Sequence, residues 1–136
     1  MPEEIINLFV YGTLRSGVHH PAHQYISRYF VLDGEGTVQG KLYDLGPYPG
    51  AIPVAEEFFI TGELYHARDS AAFETAIEQL DEYEGIYAEA KESPLFRRDV
   101  VTVHIRDQEV TAWIYWYNRE ITGKWIVSGD ILHAQD

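Results

Sequence analysis

The sequence predicts an α+β domain in which strands close around one helix, as a small barrel or a strongly curled mixed sheet. Five runs rich in Val, Ile, Tyr, Phe or Trp read as strands, and one stretch alone carries a persuasive helical period. No internal repeat, low-complexity tract or Pro/Ser-rich linker divides the chain, so residues 1–136 are expected to form a single domain.

The first strand is expected over Ile5–Tyr11, where Ile6, Leu8, Phe9 and Val10 make the nearly unbroken apolar run of a strand buried on both faces. Gly12 breaks it. A tight turn at Tyr11-Gly12-Thr13-Leu14, with Gly17 beyond, can aim successive backbone amides at one point and form an anion-binding nest. A plain strand-to-loop turn would look the same. The spacing from Gly12 to Gly17 is that of a phosphate loop, but Val18 and His19 stand where Lys and Ser/Thr are needed, which argues against a nucleotide. In HHPAH, His19 and His23 lie four apart with Pro21 between them and no further ligand specified, so no metal is expected there.

Further strands are expected at Val38–Leu45 and Phe58–His66, separated by LGPYPGAIP, which reads as a Gly/Pro loop. Phe96–Ile105 and Val110–Tyr117 complete the set, joined as a hairpin through the polar Arg106-Asp107-Gln108-Glu109. The aromatic AWIYWY at the end of the last run reads as a packed strand whose Tyr117 is available to line a pocket.

The helix is expected over Ser70–Tyr83, capped by Asp69 or Ser70 and stopped by Gly85. Phe73, Ala76, Ile77 and Leu80 recur at i, i+3, i+4 and i+7 and define its apolar stripe, while Glu74, Glu78 and Glu82 fall on a solvated face. Continuing the stripe leads to Glu84. An inward carboxyl at the negative end of a helix, beside Asp81 and Glu82, is expected to have a raised pKa, which suits a group that both takes and gives a proton. A helix ending one residue earlier would instead turn Glu84 into water.

Composition narrows the chemistry. Of 136 residues 46% are hydrophobic, enough for a core that folds alone, and the net charge of -12 repels phosphate backbones and anionic lipid heads. Neither nucleic acid nor a membrane surface is an expected partner. The start MPEEIINLFVYGTL lacks a signal-peptide pattern and no stretch approaches the roughly 20 apolar residues of a membrane span, so a cytoplasmic protein is expected. Without cysteine there is no disulfide, thiolate ligand or thiol nucleophile.

YGTL at the end of the first strand, GELY at Gly62–Tyr65, LDEYEG at Leu80–Gly85, FRR at Phe96–Arg98 and the late AWIYWY together resemble the gamma-glutamylcyclotransferase-like superfamily, in its AIG2-like and gamma-glutamylamine cyclotransferase branch. The resemblance runs from Leu8 to Tyr117. It implies a small mixed β-barrel with a flanking helix, a cavity beside the loop Tyr11, Gly12, Thr13 and Leu14, and an essential glutamate at Glu84. It also implies a cofactor-independent release of an amine from a gamma-glutamyl amide with formation of 5-oxoproline. Two departures stand out: Phe96 occupies a position where many members carry Tyr, and YGTL replaces the YGSNL of the glutathione-pathway enzymes. The rival readings are a non-catalytic module that holds a small ligand in the same pocket, and a hydrolase in which Glu84 activates water. Neither the released amine nor the oligomeric state is legible in these residues.

Overall fold

The opening apolar run forms β1 (Asn7–Val10) in the computed structural model, which describes residues 5–12, 28–45, 49–83 and 96–130. Along the chain follow β2 (Phe30–Gln39), β3 (Lys41–Asp44), β4 (Pro49–Ile52), β5 (Phe59–Ala67), α1 (Ser70–Tyr83), β6 (Phe96–Ile105), β7 (Gln108–Tyr117) and β8 (Lys124–Trp125). Five strands close into a barrel in the order β1-β5-β2-β6-β7, and β4-β3-β8 form a small separate sheet. Every barrel pairing is antiparallel except the seam, where β1 runs parallel to β7 at Leu8 and Trp113. The expected α+β class and mixed barrel are what the chain adopts.

β1 is apolar on both faces because it separates two cores. Leu8 and Val10 point to one side with Tyr65, Ala67, Phe96, Tyr115 and the helix stripe, while Phe9 and Tyr11 point into the barrel with Val38, Ile60, Leu64, Val103, Ile114 and Trp116. Leu8 and Phe9 are at most 1% exposed, and burying such a side chain contributes about 1.5–3 kcal/mol. Strand alternation thus lets four residues serve both layers.

The helix occupies the expected span. Asp69 rather than Ser70 caps it: its carboxylate accepts the Ala72 amide at 2.8 Å, an arrangement worth about 1 kcal/mol. Phe73, Ala76, Ile77 and Leu80 are all buried between helix and barrel, as the stripe requires.

Two expectations fail on backbone chemistry. The run Val38–Leu45 is not one strand, because at Gly40 the chain leaves the barrel as β2 and enters the small sheet as β3. Within LGPYPGAIP, Pro49–Ile52 is a strand, not a loop: it pairs with β3, Leu42 opposite Ala51. A Pro-Gly pair is tolerated here because the strand sits at the edge of its sheet.

The hairpin tip is also tighter than expected. Arg106 and Asp107 alone form the turn with φ of 49° and 61°, so Gln108 already faces Ile105. The Arg106 guanidinium donates to the carbonyl of Asp33, the residue skipped by a bulge in β2 between Leu32 and Gly34. Gly34 follows with φ of 148°, a conformation open to glycine and strained for other residues.

Candidate active site

β1 delivers Tyr11 and Gly12 to one end of the barrel, where they meet β4 and the last residues of β7. The Tyr11 ring is buried, 6% exposed; its hydroxyl donates to the Tyr115 carbonyl at 2.5 Å and accepts the Ala51 amide at 3.3 Å. One phenol thereby joins three strands. Gly12 has no left-handed φ; its requirement is space, since a Cβ would lie 2.9 Å from Cγ of Pro49. β4 approaches β7 just as closely, because a Cβ on Gly50 would lie 3.1 Å from the Tyr117 side chain.

Tyr117 is half-buried and packs edge-on against Phe96, ring centres 5.6 Å apart at 71°. Next to Phe96, the two arginines of FRR have separate tasks. Arg98 lies over the Trp113 ring, 4.5 Å from its centre, and Arg97 pairs with Asp99 at 3.1 Å on the surface. The structure therefore brings Tyr11, Gly12 and Tyr117 together through β4. Thr13, Leu14 and Glu84 lie outside the described residues, as do His19 and His23.

One residue of this region escaped the sequence reading. Glu63 of β5 is 8% exposed and, with Asp130, makes up the buried charged residues among those described. It stands opposite Val10, the residue before Tyr11, and its Oε1 accepts the Tyr65 hydroxyl at 3.1 Å. A reading of Phe58–His66 as a plain strand held the signal, because alternation puts Glu63 on the face of Tyr65. Nothing in the run itself said that this face was covered.

A groove of about 340 Å³ lies elsewhere, between Asp99–Thr102 of β6 and Pro53 and Val54. Neither Tyr11, Gly12 nor Tyr117 lines it. Among the described residues no helix is long and apolar enough to cross a membrane.

A small mixed barrel flanked by a helix, with a Tyr-Gly turn at the end of its first strand, defines a recognisable class. The family model described as gamma-glutamyl cyclotransferase, AIG2-like, matches residues 8–132. A gamma-L-glutamyl-butirosin B gamma-glutamyl cyclotransferase of Niallia circulans is 32% identical over 84% of this chain and 68% of its own. Among solved structures, PH0828 of Pyrococcus horikoshii superimposes with a TM-score of 0.67 at 26% identity, over 92% of this chain and 88% of that one. YkqA of Bacillus subtilis gives 0.70 at 27% identity over 93% of this chain, which spans only 39% of that longer protein. The chain belongs to the gamma-glutamyl cyclotransferase, AIG2-like family.

Proposed function

We propose that the chain, acting as a single domain, releases an amine from a gamma-glutamyl amide without a cofactor. The substrate's own α-amino nitrogen attacks its γ-carbonyl carbon; the ring C–N bond forms, the amide C–N bond breaks, and 5-oxoproline and a free amine depart. Attack needs an unprotonated amine. Glu84 takes the proton from the attacking nitrogen and delivers it to the leaving one, so one carboxyl serves as base and then as acid. The turn Tyr11–Leu14 offers its backbone amides to the substrate, holding the folded conformer that internal attack requires. Since the Tyr11 hydroxyl is engaged by Tyr115 and Ala51, its part is to set the turn.

The observation that carries this reading is the helix stripe. Phe73, Ala76, Ile77 and Leu80 are buried in one cluster with Tyr115 and Phe96, and Tyr117 packs against it; in the sequence, the spacing of that stripe continued four positions past Leu80 reaches Glu84. Family membership supports the reaction class, and the Niallia circulans relative, whose name specifies a gamma-glutamyl conjugate, supports amides beyond simple dipeptides as candidates. The acidic balance suits a zwitterionic or cationic small molecule in the cytosol better than a polyanion.

Incubation with a panel of gamma-glutamyl amines, followed by mass spectrometry, tests the proposal. 5-Oxoproline together with the free amine is expected. Glutamate would mean hydrolysis, and ligand bound but unchanged would mean a binding module.

A further inference from the structure

We propose that the groove between β2 and β6 is a second binding site, which takes an extended, basic peptide segment of a partner protein by adding it to the edge of β6. The site is independent of the reaction proposed above. It begins with an interrupted ladder. Among the described residues, β2 and β6 pair only where Thr37 faces His104, so Gln39 and Thr102, the next positions along the two strands, are left apart. The groove of about 340 Å³ opens there, lined by both of them. The Val100 amide donates to Oδ1 of Asp99 at 2.8 Å, which turns it off the β7 ladder and toward the groove, and Thr102, two residues on, faces the same way. On β2 the Gly40 amide donates to the Phe58 carbonyl at 2.9 Å on the far side, so the backbone of Gln39 before it also faces the groove. Edge amides and carbonyls of this kind are what an added strand pairs with.

A buried donor points the same way. Trp116 lines the groove and is 2% exposed, yet its indole N–H makes no hydrogen bond with the described residues. Trp113, on the same strand, donates to the Ile5 carbonyl. A buried donor without an acceptor costs stability, and a peptide carbonyl in the groove supplies the acceptor. The walls are fixed beforehand: the Gln39 side chain donates to the carbonyls of Ala55 and Glu56 at 3.0 and 2.9 Å, which anchors the chain just beyond Pro53 and Val54. Val38 and Val101 add apolar lining, and Val100, 40% exposed, is left for an apolar side chain of the added strand to cover. Charge selects the peptide. Arg97 answers Asp99 at 3.1 Å, but the chain as a whole carries -12, which attracts a lysine-bearing segment and repels an acidic one.

The probe is acetyl-Val-Lys-Val-N-methylamide, titrated into the full-length, nitrogen-15-labelled protein, with the Trp116 indole signal assigned through Trp116→Phe. Saturable shifts of that indole signal and of the Thr102 amide are expected. A copy of the peptide methylated on every backbone nitrogen should bind about tenfold or more weakly, because it cannot donate to the edge. Glutamate in place of the lysine should weaken binding about threefold or more at low salt. Trp116→Phe, which keeps a ring and loses the N–H, and Thr102→Pro, which removes an edge amide, should each weaken binding about fivefold with an unchanged circular dichroism spectrum. Should either variant fail to fold, the methylated peptide decides the matter on the wild-type protein. No shift at millimolar peptide, or equal binding of the methylated copy, would overturn the inference. So would equal binding of the glutamate peptide. A Trp116 signal that moves with protein concentration alone would put a second copy of the chain in the groove and overturn it as well.

Discussion

The two faces of β1 look onto cores of different character. Inside the barrel, Phe9, Val38, Leu42, Ile60, Leu64, Val103, Ala112, Ile114, Trp116 and Ile126 fill the space, and the Tyr11 hydroxyl is bound by backbone. On the helix side, tyrosines 65, 115 and 117 gather with Phe96 and the helix stripe, and Glu63 shares their face. The barrel is thus a filled scaffold. The chemistry proposed above falls on its outer face, against the helix stripe, so on that reading the fold holds a site without hollowing its centre.

Substitutions can break that contrast, starting with the largest effect. Glu84→Gln, which keeps volume but cannot exchange a proton, should lower turnover by roughly 10²–10⁴-fold while ligand binding persists. Glu82→Gln, at a position that the sequence pattern puts off the apolar stripe, should leave the rate unchanged. Wild-type turnover by Glu84→Gln, measured on a confirmed substrate, would remove chemistry from the helix side. Gly12→Val should abolish ligand binding in titration calorimetry, because its branched side chain meets the Pro49 ring, while the circular dichroism spectrum is retained. Full affinity would take the turn out of the site.

On the other face, Ile114→Ala should destabilise the protein by about 2–5 kcal/mol in denaturant unfolding without altering KM. A shift in KM larger than the loss of stability explains would mean the interior is not mere scaffold. The smallest effect is expected from exhaustive chelation, which should leave the rate as it was. Activity lost to chelator and restored by zinc would bring His19 and His23 back as ligands.

How much of this was legible follows from what each signal depends on. The helix and the pair β6 and β7 were read to within two residues, since their patterns are local: an apolar stripe at 3.6 residues, and two runs joined by a short polar turn. The first half of β2 was missed because Asp33-Gly34-Glu35-Gly36 lacks the β-branched and aromatic residues that mark a strand, and the fold accommodates it with a bulge at Asp33 that Arg106 secures from 73 positions away. β4 was missed because Pro and Gly argue against a strand until its edge position is known. Of the proposed site residues, the YGTL turn and Glu84 stood out through spacing and family resemblance. The burial of Glu63 did not, as it comes from elements far along the chain.

The seam between β1 and β7 carries a consequence for the order of assembly. Trp113 donates from its indole to the Ile5 carbonyl, and Asn7 and Tyr11 each reach a carbonyl on β7 104 positions away. During synthesis these partners emerge 104 or more positions after β1, so β1 waits unpaired on that side in the meantime. Tyr11 therefore takes its final place only when the circle closes. Refolding monitored by helix signal and by ligand binding should separate in time, with binding competence the later of the two. Coincident phases would mean that the turn is set before the seam.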